Sequence, residues 1–191
     1  MGSSYQTILA AGARADVEAA VAASARRAAV LPVGESRWAI IPRADGPYAE
    51  TEPIAALVSR TGAAASFDVF DSTVLALRVY RDGGVVHAYL SRQEFVEPMW
   101  DDNDDEYWVD LLGREYRDGE RPPAGPLGGD AGAVADLGIA PVDREALERL
   151  MREPTFRAGQ LHHDILRALN VEPGPLTMTY GEARKRRWFG R

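Results

Sequence analysis

The chain has no cysteine among its 191 residues, which excludes a disulfide scaffold, a thiolate nucleophile, iron–sulfur ligation and cysteine-bound zinc. Histidine is scarce: only His87, His162 and His163 occur. The last two are adjacent on one predicted helix and point in different directions, so they form no i,i+4 metal pair. No metal and no cofactor are expected. No apolar run approaches the roughly 20 residues of a spanning helix. Met1–Gln6 lacks a basic stretch followed by an apolar one, and Gln6 breaks the myristoylation pattern. The expectation is a soluble cytoplasmic protein without a membrane partner. Walker loops, a G-x-G-x-x-G after a strand, a G-x-S-x-G elbow and H-E-x-x-H are all missing. Lysine occurs once, at Lys185, and the net charge of −7 disfavours phosphate-driven binding, so no DNA partner is expected.

What is present suits a packed core: 46% hydrophobic and 27% charged residues are globular proportions. We read a single domain over 1–191, with a sheet part at 1–91, an acidic and Gly/Pro-rich insertion at 92–132, and a helical part with a basic tail at 133–191. Residues 5–9 read as a strand, and 13–27 as a helix with Arg26 and Arg27 in its last turn. A hairpin spans 28–33 and 37–41, a helix follows Thr51 as its cap, and a strand covers 65–70. Helices return at 130–137, 143–153 and 155–169, and a last strand is predicted at 176–180. The order strand, helix, strand, strand, helix, strand is ferredoxin-like. The predicted class is therefore α+β: a mainly antiparallel sheet extended by a β-hairpin, with helices packed on one side and a helical C-terminal part.

The strongest local signal is Asp82-Gly83, a two-residue turn whose central positions need positive φ. Strict pairing outward from Arg81 and Gly84 sets Val79 against Val86, Leu77 against Ala88 and Leu75 against Leu90, an apolar face. The opposite face then holds Arg78 directly across from His87, with Tyr89 diagonal. Asp68 joins them if 65–70 pairs with this hairpin. Arg78 would clamp an anion and Tyr89 would line the site, while His87 and Asp68 are the catalytic candidates for moving a proton. The plain alternative is a wetted outer face, common in antiparallel sheets.

Two other groups stand out. Trp100, Asp101, Asp102, Tyr107 and Trp108 belong to an acidic aromatic loop. Exposed aromatics beside charge make good interface anchors, although charge runs are ordinarily just solvated. Asp101, Asn103 and Asp105 match the start of a calcium loop, but Glu106 and Leu112 stand where it needs glycine and glutamate. Arg184, Arg186 and Arg187 of the basic tail suit oxyanions, or pairing with the acidic loop within a chain or between protomers. A frayed terminus is the plain alternative there. His162 falls at the edge of an apolar stripe and reads as a packed histidine.

The stretch from Phe67 to Ser91 resembles a segment recurring in uncharacterised cytoplasmic bacterial proteins, chiefly actinobacterial. That resemblance implies the hairpin and a bacterial cytosolic origin, and it carries over no site residues. The leading expectation is a non-catalytic interaction or accessory protein of immunity-protein type, meeting a protein partner through the acidic aromatic loop. The rival is a small metal-independent enzyme of bacterial specialised metabolism acting on a small anionic ligand that bears phosphate or sulfate. A homo-oligomer stays open. A concave pocket enclosing Arg78 and His87 favours the enzyme; exposed Trp100 and Trp108 favour the binder.

Overall fold

A computed structural model describes residues 3–189, with side chains through Arg186. Its first half is β1 (Tyr5–Ala11), α1 (Arg14–Ala23), β2 (Ala28–Gly34), β3 (Arg37–Pro42), α2 (Glu52–Val58) and β4 (Ala63–Phe70), followed by the hairpin β5 (Val74–Arg81) and β6 (Gly84–Leu90). These strands pair antiparallel in the order β2-β3-β1-β4-β5-β6. That is the ferredoxin-like four-strand order extended at β4 by the hairpin, and the class is α+β.

Alternation along the strands produces two apolar faces. Ile8, Ala10, Ile40, Ala64 and Tyr80 pack with Val17 and Val21 of α1 and with Ile54 and Val58 of α2. Leu9, Ile41, Phe67, Leu77 and Val79 look the other way. They meet residues of α3 (Ala131–Ala135), α4 (Arg144–Arg152), α5 (Ala158–Ala168), α6 (Pro173–Leu176) and α7 (Tyr180–Phe189). Thus α1 and α2 cover one side, and the C-terminal helices cover the other.

Several local readings are corrected. Helix α1 stops at Ala23 rather than residue 27, because Ala25 is left-handed (φ 56°) and the Ser24 hydroxyl donates to the Val21 carbonyl. Arg26 and Arg27 therefore lie beyond it. Thr51 makes no side-chain cap for α2, since its hydroxyl donates to Asp68 instead. Residues 176–180 are no strand: α6 ends at Leu176, and Thr179 and Glu182 form a reciprocal capping box that starts α7. The acidic stretch is also more ordered than a loop. It folds as a second antiparallel sheet of β7 (Val96–Trp100), β8 (Glu106–Asp110) and β9 (Glu115–Tyr116).

The Asp82-Gly83 turn forms as read, with φ of 50° and 83°. The strict register beyond it does not. Arg81 pairs with Gly84 and Tyr80 with Val85, but then Val79 meets His87, Arg78 meets Ala88, Leu77 meets Tyr89 and Ala76 meets Leu90. Val86 is the extra residue of a bulge, and each later residue of β6 moves to the other face.

Candidate functional site

That bulge separates the expected catalytic group. Arg78 shares a face with Asp68, and its Nη1 lies 3.5 Å from Asp68 Oδ2. His87 and Tyr89 are on the opposite face, opposite Val79 and Leu77. His87 Nε2 donates to the Gly128 carbonyl at 2.8 Å, while Tyr89 is fully buried in the core, where loss of water pushes its phenol pKa upward. Arg78 and His87 are not opposite each other, so no anion clamp pairs with an imidazole here.

Asp68 is 6% exposed. Thr51 Oγ1 donates to its Oδ1 at 3.2 Å. Burial pushes the carboxyl up to about 6, against the opposing pull of Arg78 and of the Thr51 hydrogen bond. Around the pair, Gln6 stands across from Asp68, Ser66 across from Arg78, and Tyr80 one pleat further along. Gln6 Nε2, Ser66 Oγ and Tyr80 OH are buried without a hydrogen-bond partner. This polar seam divides the apolar cluster under α2 from a smaller one, in which Val74, Ala76 and Leu90 pack against Phe95, Leu111 and Leu112. Arg78 Nη2 crosses it to donate to the Leu111 carbonyl at 2.6 Å. The guanidinium is thus occupied by one carboxylate and one carbonyl, and it fastens the second sheet onto the first.

His162 is fully buried, as its place on the apolar stripe suggested. Its ring stacks on Phe67 at 4.4 Å between centroids, and Nδ1 lies 3.1 Å from the Tyr5 hydroxyl. Burial holds it neutral, with its pKa lowered to about 3, and raises that of Tyr5 to about 12.

The second sheet brings the acidic aromatic residues together. Pairing of Pro98 with Trp108, and of Trp100 with Glu106, places Val96, Trp100 and Trp108 on one face, with Trp100 and Trp108 diagonal neighbours. Trp100 is 59% exposed and Trp108 38%. Tyr107 points to the reverse face, where Arg117 lies 4.1 Å above its ring. The connecting turn is built by Asp101, whose Oδ1 accepts the Asn103 and Asp105 amides at 2.9 and 3.1 Å. These hydrogen bonds and the Arg117 guanidinium hold its pKa below the usual carboxylate range. Asp101 is therefore a structural member of the expected set, whereas Asp102 is exposed. Beside Trp108 an open hollow of about 410 Å³ is lined by Glu94, Val96, Glu120, Arg121 and Pro122.

Charge is concentrated on this element. Residues 94–121 carry eleven acidic side chains against three arginines, a balance of −8, while the whole chain carries −7, so everything else sums to +1. Four of these acids are already committed within the chain: Asp110 accepts hydrogen bonds from the Leu112 and Arg114 amides, Arg114 Nε and the Tyr116 hydroxyl, Glu94 accepts from Arg92, and Asp101 and Glu115 accept from Arg117. The remaining acids around the turn are exposed.

Arg184 and Arg186 are exposed on α7, and the Arg187 side chain lies outside the described residues. Helix α7 packs against β2 and β3, at the far end of the main sheet from the second sheet. Among the described residues no group of three or more His, Asp or Glu is arranged to hold a metal, and no helix is long and apolar enough to cross a membrane. No protein-family model, curated protein or solved structure matches the chain.

Proposed function

We propose that the protein is a non-catalytic interaction or accessory protein, immunity-like in its mode of action, that binds a protein partner through the face carrying Trp100 and Trp108. One observation carries this reading: two exposed tryptophans lie on the element that holds essentially all of the chain's excess negative charge. Aromatic anchors supply contact area at small entropic cost, and the surrounding acids select a basic surface and speed its approach. The hollow at Trp108, lined by Val96 and Pro122 together with Glu94, Glu120 and Arg121, gives a partner side chain a place against the indole. The resemblance at 67–91 supports a bacterial cytoplasmic setting for this binding.

The enzyme reading has one observation in its favour, the unpartnered Ser66 and Tyr80 hydroxyls beside Asp68. The occupied Arg78 and the displaced His87 weigh against it.

The test is capture from native cytosol at low salt, followed by titration of the purified partner. Binding at fixed stoichiometry, weakened in about 1 M salt where the screening length is about 3 Å, is expected. The double variant Trp100→Ala/Trp108→Ala should lose about 100-fold or more in affinity, as two interface anchors do. Unchanged affinity of that variant overturns the assignment. Retention of a small anion instead, abolished by Arg78→Ala, transfers it to the seam.

A further inference from the structure

We infer that a second copy of this chain occupies the acidic aromatic face, presenting the basic side of its α7, so that copies join head to tail. This rests on the reading of that face as a binding surface and names its occupant in the absence of other proteins.

The two poles are complementary. Residues 94–121 carry −8, and the run Arg184, Lys185, Arg186 and Arg187 is wholly basic within a remainder that sums to only +1. Arg184, Lys185 and Arg186 are all exposed on α7.

The fold prevents these poles from meeting within one molecule. Helix α7 lies on the side of β2 and β3 that faces the C-terminal helices, where its Ala183 joins their core. The second sheet attaches over β5 and β6, through Arg78 to Leu111 and through Phe95, Leu111 and Leu112. That attachment uses the face covered by α1 and α2. From β2 to β6 is five strand spacings, about 24 Å, and the poles are on opposite faces besides.

Whole-molecule repulsion at −7 acts at long range and is screened beyond about 10 Å at moderate salt. The arginine–carboxylate pairs form at contact, on the exposed acids around the turn, Asp102, Asp104, Asp105 and Glu106. A contact joining two different surfaces leaves a free pole at each end. It therefore propagates into rings or open chains rather than stopping at a two-fold dimer.

Sedimentation velocity of the full chain tests this across a range of concentrations. The expected result is a weight-average mass that climbs above the monomer at about 0.1 M salt, where the long-range repulsion is already screened, and returns to it in about 1 M salt. Arg184→Glu/Arg186→Glu keeps the acidic face and loses the basic pole, while Asp102→Asn/Asp105→Asn does the reverse. Each alone should associate about tenfold or more weakly, as charge variants of a steered interface do. Mixed together they regain a single productive junction and should form a 1:1 dimer and nothing larger. A monomeric wild type at every concentration overturns the self-contact, as does assembly unaffected by these variants or a mixture that stays monomeric. The Proposed function fails separately, on a partner that still binds after Trp100 and Trp108 are removed.

Discussion

Asp68 and His162 are both buried titratable residues, and they drive stability in opposite directions with pH. The Asp68 carboxyl titrates near 6 in the folded chain against an ordinary value of 3.8. Between those values the folded state holds the proton more tightly, so this group's contribution to stability falls as pH rises from about 4 to 6. Above pH 6 its cost is constant, about 3 kcal/mol for a shift of about two units. His162 does the reverse: with a folded pKa near 3 against 6.5, its contribution is complete above pH 6.5 and is lost as pH falls toward 3. Their slopes oppose between about pH 4 and 6. Asp68→Asn should therefore raise the melting temperature at pH 7, with the gain vanishing by pH 4. His162→Leu should remove the imidazole's share of the stability lost as pH drops from 6 to 4, leaving Asp68 opposed by the carboxylates held below their usual range, Glu94, Asp101, Asp110 and Glu182. Thermal melts across this range check both, and parallel curves for wild type and Asp68→Asn would remove the assignment.

At the scale of elements, β6 shows why a turn was legible and a register was not. Asp82 and Gly83 announce the turn because few other pairs accept two positive φ values in succession. The bulge lies where Val85 is followed by Val86, two exposed valines in succession, so alternation is already broken and nothing in the pattern says which of them is the extra residue. The second sheet was hidden in another way, by acidic residues that masked the alternating Val96, Pro98 and Trp100. Thr179 and Glu182 did carry a capping signature for α7, but the Thr and Tyr residues around it imitate a strand. His162 is legible as a packed residue because it falls at the edge of a helical apolar stripe, Leu161, Ile165 and Leu169, whose period is unambiguous.

The edge of β6 rests on a strap. Leu90 and Leu127 exchange backbone hydrogen bonds, and His87 donates to Gly128. Gly128 has φ +71°, and a Cβ there would lie 2.0 Å from the Ala88 carbonyl oxygen. Gly128→Ala should cost more than about 2 kcal/mol, combining a left-handed backbone with a steric clash. The midpoint of urea unfolding measures it, and a midpoint matching the wild type would show that the strap yields freely.

For the whole molecule, the ferredoxin-like sheet is a platform with two differently charged ends. Each charged end is fastened to the core by its own apolar residues, Ala183 for α7 and Phe95, Leu111 and Leu112 for the second sheet, which leaves the acidic aromatic face itself exposed. Arg78 and Leu111 connect that face to the platform, so its position is set by packing rather than by a free loop. The most direct test of this arrangement keeps both tryptophans, places a photo-crosslinking benzophenone at position 106, directly across from Trp100 on the same face, and, as a control, at exposed Phe156, and irradiates the living source cells. Binding through the Trp100 face predicts one dominant adduct at position 106, joined through a basic segment of the trapped protein and lost in Asp102→Asn/Asp105→Asn. The absence of an adduct there, or the same adducts at position 156, contradicts it.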